Sequence, residues 1–264
     1  MSFELILMTL GLFAFFGGLI DAAVGGGGLV QLPALLHALP QYSLATVFGT
    51  NKLAAWAGTL SSIFSYVTKI KIIWQLILPT MISAFILAFF GAMSVSFIPK
   101  ELMQLIVFVL LVVMAIYTFT KKDLGQSHTC IQCGHKEIVL GIVFGGLIGF
   151  YDGVFGPGSG SFLLFLFVRC FGFDFLNASA SAKLVNLATF SASLLFFIPS
   201  ANVLWTIGAV VALCNIAGSL TGAFLALRYG SAFIRIFFLI LLIFLIGRMA
   251  LEIILPLLNE VIVG

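Results

Sequence analysis

Long apolar runs, separated by short polar segments, occupy most of the 264 residues of this chain. Eight of the runs approach or exceed the roughly 20 residues that a helix needs to cross the hydrocarbon core of a bilayer. They are Phe3–Val24, Gly49–Val67, Ile72–Met93, Leu102–Thr120, Ile138–Phe155, Leu184–Ile198, Val203–Leu227 and Ile236–Leu255. The pattern predicts an all-α polytopic membrane protein that has no room for a sizeable soluble domain.

The same pattern occurs twice. When the sequence is shifted by the separation of Asp21 and Asp152, the first copy aligns with the second without a gap. The offset aligns Asp21 with Asp152, Gly25 with Gly156, Gly27 with Gly158, Lys52 with Lys183, and Trp74 with Trp205. Chance rarely matches the rarest residue types of so apolar a chain, so we interpret the chain as two homologous halves. We expect a first transmembrane repeat over 1–120, a linker over 121–137 and a second transmembrane repeat over 138–264.

Each half also contains a glycine-rich break. In the first half Gly25–Gly28 interrupts the apolar run, which resumes over Leu29–Leu39. In the second half Gly156–Gly160 interrupts it, and it resumes over Ser161–Phe171. Eleven helical residues reach about 16 Å, half of a bilayer core, so each half is predicted to contain a broken or re-entrant segment. Duplicated halves with such breaks are typical of secondary transporters, whose substrate lies between the repeats.

The short segment after each break decides the topology. If it does not change sides, each half crosses four times and the repeats are parallel. If helix, break and short segment together return the chain to its starting side, the repeats are inverted. If the repeats are inverted, eight lysine and arginine residues of the loops lie on one side of the membrane, and only Lys100 and Arg248 lie on the other side. The eight are Lys69, Lys71, Lys121, Lys122, Lys136, Arg169, Arg228 and Arg235. Because cytoplasmic loops are rich in lysine and arginine, we expect inverted repeats, a cytoplasmic linker and both termini outside.

Charged residues make up only 8% of the chain, against roughly 25% in soluble domains, so a charge within an apolar run needs an explanation. Each half places an aspartate just before its break and a lysine at the start of the next long helix, with the same spacing in both: Asp21 and Lys52, then Asp152 and Lys183. Two interpretations stay open. These groups form buried ion pairs within each half, Asp21–Lys52 and Asp152–Lys183, that clamp the break, or some of them face a transport path.

The breaks add hydrogen-bond donors that suit an anion. Backbone N–H groups freed at a glycine-rich break, together with the start of the next helix, form an anion-binding end. The predicted substrate site contains Lys52, Lys183, Gly25, Gly26, Gly27, Gly28, Gly156, Gly158, Ser159, Gly160, Ser161, Thr50 and Asn51. Asp21 and Asp152 are expected to hold the lysines or to exchange a proton for coupling. No metal or other cofactor is expected at this site.

Other recurring residues are interpreted as structural. Small residues at four-residue spacing precede each break, at Ala14, Gly18 and Ala22 and at Gly145, Gly149 and Gly153, and they let helices approach closely. Trp74 and Trp205 are expected to anchor helix ends at the membrane interface. Cys170 and Cys214 are predicted to be packed thiols.

The linker carries four potential metal ligands within a short run, His128, Cys130, Cys133 and His135. A tetrahedral zinc site usually draws its two ligand pairs from separate elements. We therefore expect an ordinary reduced cytosolic loop and not a metal site.

Four stretches resemble the sulfite exporter TauE/SafE family, and in particular its YfcA-like branch. They are Gly18–Gly28, Gly49–Ala55, Phe150–Ser161 and Ala178–Asn186. The resemblance covers nearly the whole chain except the linker. It implies a multi-pass permease of the bacterial inner membrane that moves small sulfur-containing anions such as sulfite, sulfonates or related organosulfur acids.

We interpret the chain as a secondary transporter of small anions that alternates access by rocking one repeat against the other. An anion channel and a non-transporting membrane scaffold subunit are the alternatives. An enzyme is not expected, because the sequence has no HExxH or GxSxG motif and its histidines lie in or near loops. The expected partners are a small anion and the lipid bilayer, with a homodimer left open. No basic patch or aromatic platform suggests nucleic acid.

Overall fold

The structure, a computed structural model, describes residues 3–95 and 134–263, together with 109, 112, 113 and 116. The two long stretches form eight helices: α1 (Phe3–Val24), α2 (Gly28–Ala38), α3 (Leu44–Val67), α4 (Trp74–Met93), α5 (His135–Val154), α6 (Ser159–Phe171), α7 (Phe175–Phe197) and α8 (Trp205–Val263). α8 is interrupted at Gly230, whose φ of 70° and ψ of −165° are not helical. Apart from the four isolated positions, the predicted run Leu102–Thr120 lies outside the described residues, as do Cys130 and Cys133.

Five helical segments of the described part are long and apolar enough to span a bilayer. They are Glu4–Val24, Trp74–Met93, His135–Val154, Phe175–Phe197 and Trp205–Phe244. α3 has the length of a span, with 24 residues, but its sequence is more polar around Lys52. α2 and α6 have 11 and 13 residues and match the predicted short segments. The prediction of an all-α polytopic membrane protein is confirmed.

Helix starts repeat at the offset found in the sequence. The first residues of α2, α3 and α4 align with the first residues of α6, α7 and α8 at the offset that brings Asp21 onto Asp152. The residues before α3 and α7 are both N-caps. Ser43 Oγ accepts the N–H of Thr46 at 3.2 Å, and Asp174 Oδ1 accepts the N–H of Asn177 at 2.9 Å.

The two halves interleave. α1 packs along α8 and α4 packs along α5, so the first and fourth helices of each half contact the opposite half. The small-residue stripes form these contacts. A Cβ added at Gly18 would clash with the carbonyl oxygen of Asn215, and one at Gly149 would lie 2.7 Å from Cα of Ala84. The structural interpretation of the stripes is confirmed.

At the centre of the molecule α3 packs against its copy α7, and the two run in opposite directions. A Cβ on Gly49, near the start of α3, would lie 3.0 Å from Cβ of Phe197, near the end of α7. One to two turns further along α3, Trp56 Nε1 donates to Oγ of Ser191 at 2.9 Å. Equivalent helices of the two halves therefore lie antiparallel in this contact.

Candidate functional site

The two glycine-rich breaks meet inside the protein. Gly25 and Gly156, which are equivalent in the two halves, end α1 and α5 with φ values of 76° and 88°, a region that favours glycine. A Cβ built on Gly160 would lie 2.7 Å from Cα of Gly25, so the two backbones are in direct contact. The predicted glycine positions of both halves therefore lie at one place.

The other predicted break residues line the same contact. A Cβ on Gly26 would lie 3.3 Å from Ser161 Oγ, one on Gly28 would lie 3.3 Å from Pro157 Cα, one on Gly158 would lie 3.1 Å from Leu29 Cδ1, and one on Gly27 would lie 2.6 Å from Asp21 Cβ. Side-chain bulk at Gly26, Gly28 or Gly158 would press against the break of the opposite half, whereas bulk at Gly27 would press against α1 of its own half.

The buried charges form ion pairs between the halves. Lys52 Nζ lies 2.9 Å from Asp152 Oδ1, and Lys183 Nζ lies 2.6 Å from Asp21 Oδ2. The interpretation that paired Asp21 with Lys52 and Asp152 with Lys183 is wrong. Each lysine, on α3 or α7, therefore reaches the break of the opposite half.

The pair at the second break is fully enclosed. Lys52 Nζ also donates to the backbone oxygen of Asp152 at 2.6 Å and lies 4.7 Å from the ring centroid of Phe190. Asp152 Oδ1 accepts the hydroxyl of Ser159 at 2.5 Å, and the side chains of Lys52 and Asp152 are 4% and 0% exposed. These contacts hold the lysine head group on several sides, whereas Asp152 Oδ2 is buried and has no hydrogen-bond partner among the described residues.

At the first break the lysine is fully enclosed, since the side chain of Lys183 is 0% exposed, and only its aspartate partner is partly open. The side chain of Asp21 is 13% exposed, and its Oδ2 also accepts the hydroxyl of Thr59 at 3.3 Å. Hydroxyl groups bind the carbonyls that follow Asp21 at the end of α1: Tyr66 donates to Ala22 at 2.8 Å, Ser179 donates to Ala23 at 2.8 Å, and Ser161 donates to Gly25 at 3.1 Å. The first break is therefore surrounded by polar side chains.

Three predicted hydroxyl donors are used within the protein. Ser159 binds Asp152, and Ser161 binds the end of α1. Thr50 Oγ1 donates to the carbonyl of Thr46 at 2.8 Å and accepts the N–H of Leu204 at 3.0 Å, which ties α3 to the start of α8. Asn51 is different, because its Oδ1 is buried and has no partner among the described residues. That these groups contact an anion stays a prediction.

Sequence reasoning missed Asn186. This residue is completely buried on α7, three positions after Lys183, and neither atom of its amide has a hydrogen-bond partner within the described ranges. A Cβ on Gly160 would lie 2.6 Å from its Nδ2, so the amide faces the contact between the two breaks. The signal was an amide one turn after the charged Lys183, within a predicted membrane helix.

The cysteines of the described part stay outside this centre. Cys214 is half-buried, whereas Cys170 is exposed on the protein surface, so the prediction of a packed thiol is wrong for Cys170. Residues 3–95 and 134–263 hold no group of three histidine, cysteine or acidic side chains placed to bind a metal. The linker cysteines fall outside this range.

The central charges can bind an anion only by a change of partner. Both lysines are already neutralised by aspartates, and an additional negative charge in a buried site is strongly unfavourable. An anion that takes a lysine must therefore release a carboxylate to another donor or to a proton. This exchange gives the site a means to couple anion binding to protonation or to movement of the halves.

Comparison with known proteins supports a transport role for this arrangement. The model of the family "Sulfite exporter TauE/SafE" matches residues 10–249. The chain is 32% identical to the "Probable membrane transporter protein YfcA" of Escherichia coli strain K12 over 88% of this chain and 84% of that protein. It is also 32% identical to the "Probable membrane transporter protein ORF9" of a Sinorhizobium species over 84% of each chain. A "Probable membrane transporter protein" of Haemophilus influenzae is 32% identical over 87% of this chain and 88% of its own length. No solved structure matches the chain.

Proposed function

We propose that this chain, which belongs to the sulfite exporter TauE/SafE family, is a secondary transporter that carries small anions without changing them chemically. The observation that carries the proposal is the pair of buried lysines held between two glycine-rich breaks, where the breaks of the two halves meet. The family and the relatives named as membrane transporters support the general role. The family's name favours sulfite, a sulfonate or a related organosulfur anion as cargo.

The cargo would bind between the breaks and replace an aspartate at one lysine. Backbone N–H groups of the breaks and the amide of Asn186 would supply hydrogen bonds to its oxygens. Because each ion pair joins the two halves, breaking one would loosen one contact between them. Anion binding would thereby favour the rocking of one half against the other, which changes the side of access.

The proposed topology is inverted, with a cytoplasmic linker, external termini and a location in the bacterial inner membrane. The antiparallel packing of α3 against α7 supports it. If these helices cross the bilayer, the axis that relates them lies in the membrane plane, as inverted repeats require. Parallel repeats would instead make equivalent helices run in the same direction. Reporter fusions after Lys122 and at the C-terminus, one inside and one outside, would test this arrangement.

Ligand binding is the first test of the proposed cargo class. Purified protein would be heated with sulfite, an alkanesulfonate, sulfate and a carboxylate, each over a wide concentration range. A ligand at 100 times its dissociation constant adds about 2.7 kcal/mol to the stability of the folded state. We expect sulfite or the sulfonate to raise the melting temperature more than the carboxylate. Equal, small shifts for all four anions would contradict the proposed site.

Transport is the second test. Protein in liposomes should take up the stabilising anion with saturation, and anion placed inside the vesicles should accelerate uptake of labelled anion from outside. Current without counterflow would identify an anion channel. Folded protein with neither uptake nor current would support the scaffold interpretation.

A further inference from the structure

The polar surroundings of the first break extend into a connected set of buried side chains from four helices. Asn215 on α8 donates through Nδ2 to Gln31 Oε1 on α2 at 2.7 Å. Ser219, one turn further along α8, donates to Asn215 Oδ1 at 3.2 Å and to the carbonyl of Gly18 on α1 at 3.3 Å. Thr59 on α3 binds Asp21. We call Gln31, Thr59, Asn215 and Ser219 the polar wall.

The polar wall lies along α1 before Asp21, and Thr59 is its contact with the Asp21–Lys183 pair. Gly58 is adjacent to Thr59, and a Cβ added there would lie 2.6 Å from Ser219 Oγ. A Cβ on Gly17, one turn before Asp21, would lie 3.1 Å from Gln31 Oε1. The glycines of α1 and α3 thus let the amide and hydroxyl groups lie directly against the backbone that leads to Asp21.

The internal repeat provides a control for this feature. At the offset that aligns the two halves, each polar-wall residue corresponds to an apolar one: Gln31 to Phe162, Thr59 to Phe190, Asn215 to Ala84, and Ser219 to Ala88. All four counterparts are buried. Equivalent helices therefore surround the second break and its ion pair with apolar residues at these four positions. The architecture does not require the polar groups that surround the first break.

Burial of these groups has a free-energy cost that the fold does not explain. Gln31 is 2% exposed, yet its Nε2 has no hydrogen-bond partner among the side chains and backbone that the structure describes. An unmade hydrogen bond of this kind costs about 1–3 kcal/mol. A donor kept in that state against α1, one turn before Asp21, is explained by an acceptor that occupies the space during function. Water and an anion oxygen are the acceptors that fit.

We propose that the polar wall lines a hydrophilic vestibule through which water and small oxyanions reach Lys183 and Asp21, and that Lys52 and Asp152 form a static clamp behind an apolar plug. The inference rests on the proposed function only for the identity of its cargo. In the conformation described here the vestibule is closed, since Thr59 and Ser219 are each 1% exposed. The apolar plug at the second break consists of the equivalents of the polar wall, Phe162, Phe190, Ala84 and Ala88. Phe190 covers Lys52.

Cysteine accessibility tests the vestibule directly. All four native cysteines would be changed to serine, and Thr59→Cys and Ser219→Cys would each be compared with the variant at the equivalent position, Phe190→Cys and Ala88→Cys. A charged, membrane-impermeant thiosulfonate reagent reacts only with a thiol that water reaches and ionises. Protein in liposomes would be treated from either side, and the rate of labelling would be measured by mass.

We expect the two polar-wall cysteines to react about tenfold faster or more than their counterparts, a ratio equivalent to about 1.4 kcal/mol in access. Ethanesulfonate should slow the reaction at Thr59→Cys if an oxyanion shares the vestibule, whereas water alone would leave the rate unchanged. Equal labelling of the polar-wall cysteines and their counterparts, or faster labelling of Phe190→Cys and Ala88→Cys, would overturn the proposal.

A second variant separates hydration from folding. Asn215→Ala combined with Ser219→Ala gives the surroundings of the first break the alanines that stand at the equivalent positions, Ala84 and Ala88, near the second break, so we expect it to fold. Labelling of Thr59→Cys in this variant should fall about tenfold, while an unchanged rate would contradict the role of the wall. If the polar-wall cysteines are labelled selectively but the protein transports no anion, the vestibule is supported and the proposed function is contradicted. If the protein transports anions but labelling is equal, the proposed function is supported and the vestibule is contradicted.

Discussion

The ion pairs at the two breaks occupy equivalent positions, yet their surroundings differ. Lys52 and Asp152 lie against Phe190 and Ser159 with almost no exposure. Lys183 is also fully buried, but its partner Asp21 accepts the hydroxyl of Thr59 and is 13% exposed. The pair, the break and the helix starts are the same in both halves, whereas the neighbouring side chains are not. Variants that remove a charge can therefore be compared with variants that change only its neighbours.

The largest effect is expected when one partner of the enclosed pair is removed. Lys52→Met leaves Asp152 buried and uncompensated, which typically costs about 3–5 kcal/mol. The double variant Lys52→Met with Asp152→Asn should recover much of that loss. Thermal unfolding of the purified variants measures both effects.

The same measurement tests the exchange of partners between halves. Lys183→Met should likewise be rescued by Asp21→Asn. The matched control is Lys52→Met with Asp21→Asn, which combines the residues of one half and leaves Asp152 and Lys183 each without its partner. Rescue in this control, and not in the cross-half doubles, would show that the pairs form within each half.

Gly25 and Gly156, equivalent glycines that both have a positive φ, should differ in their tolerance of alanine. A Cβ at Gly25 would meet the backbone of Gly160, whereas at Gly156 the nearest atom, at 2.9 Å, is Lys52 Nζ, the end of a flexible side chain. Both substitutions carry the cost of a left-handed backbone, but only Gly25→Ala adds a backbone clash, which typically costs about 1–3 kcal/mol. Unfolding temperatures should follow that order, and equal losses would show that the breaks can separate freely.

Transport should separate the two neutralised pairs. Asp21→Asn with Lys183→Met and Asp152→Asn with Lys52→Met each remove one complete pair, so both proteins should fold. If the first pair lies on the path, its removal should reduce anion uptake about tenfold more than removal of the second, a difference of about 1.4 kcal/mol. Uptake into liposomes at matched protein content measures this. Equal losses would mean that both lysines bind the anion, and full uptake in both variants would leave only the clamp role.

Sequence predicted the elements well because they are duplicated. The offset that aligns Asp21 with Asp152 also predicts where helices begin, and the glycine strings mark where they stop. The predicted partners of the lysines were wrong. Both halves have the same spacing between aspartate and lysine, and this spacing carries no information about how the halves interleave. A related reason explains why the sequence did not predict Gln31, Asn186 and Asn215. The predicted site was built from charged residues and glycines that occur in both halves, and these amides occur in only one.

The smallest expected effect concerns Tyr66, whose equivalent in the second half is Phe197. Tyr66→Phe removes only the hydroxyl that donates to the carbonyl of Ala22 at 2.8 Å. Ser179 also reaches that carbonyl, at 3.2 Å, so the loss of stability should stay near the net value of one hydrogen bond, about 0.5–1.5 kcal/mol. Phe197→Tyr is the matched control, and it places a hydroxyl in a fully buried apolar site. Tyr66→Phe removes a polar group from the first half, and Phe197→Tyr adds one to the second half. If only the first change is tolerated, chemical denaturation should show that Phe197→Tyr is the less stable variant. The reverse order would mean that the surroundings of the two breaks differ less than their side chains suggest.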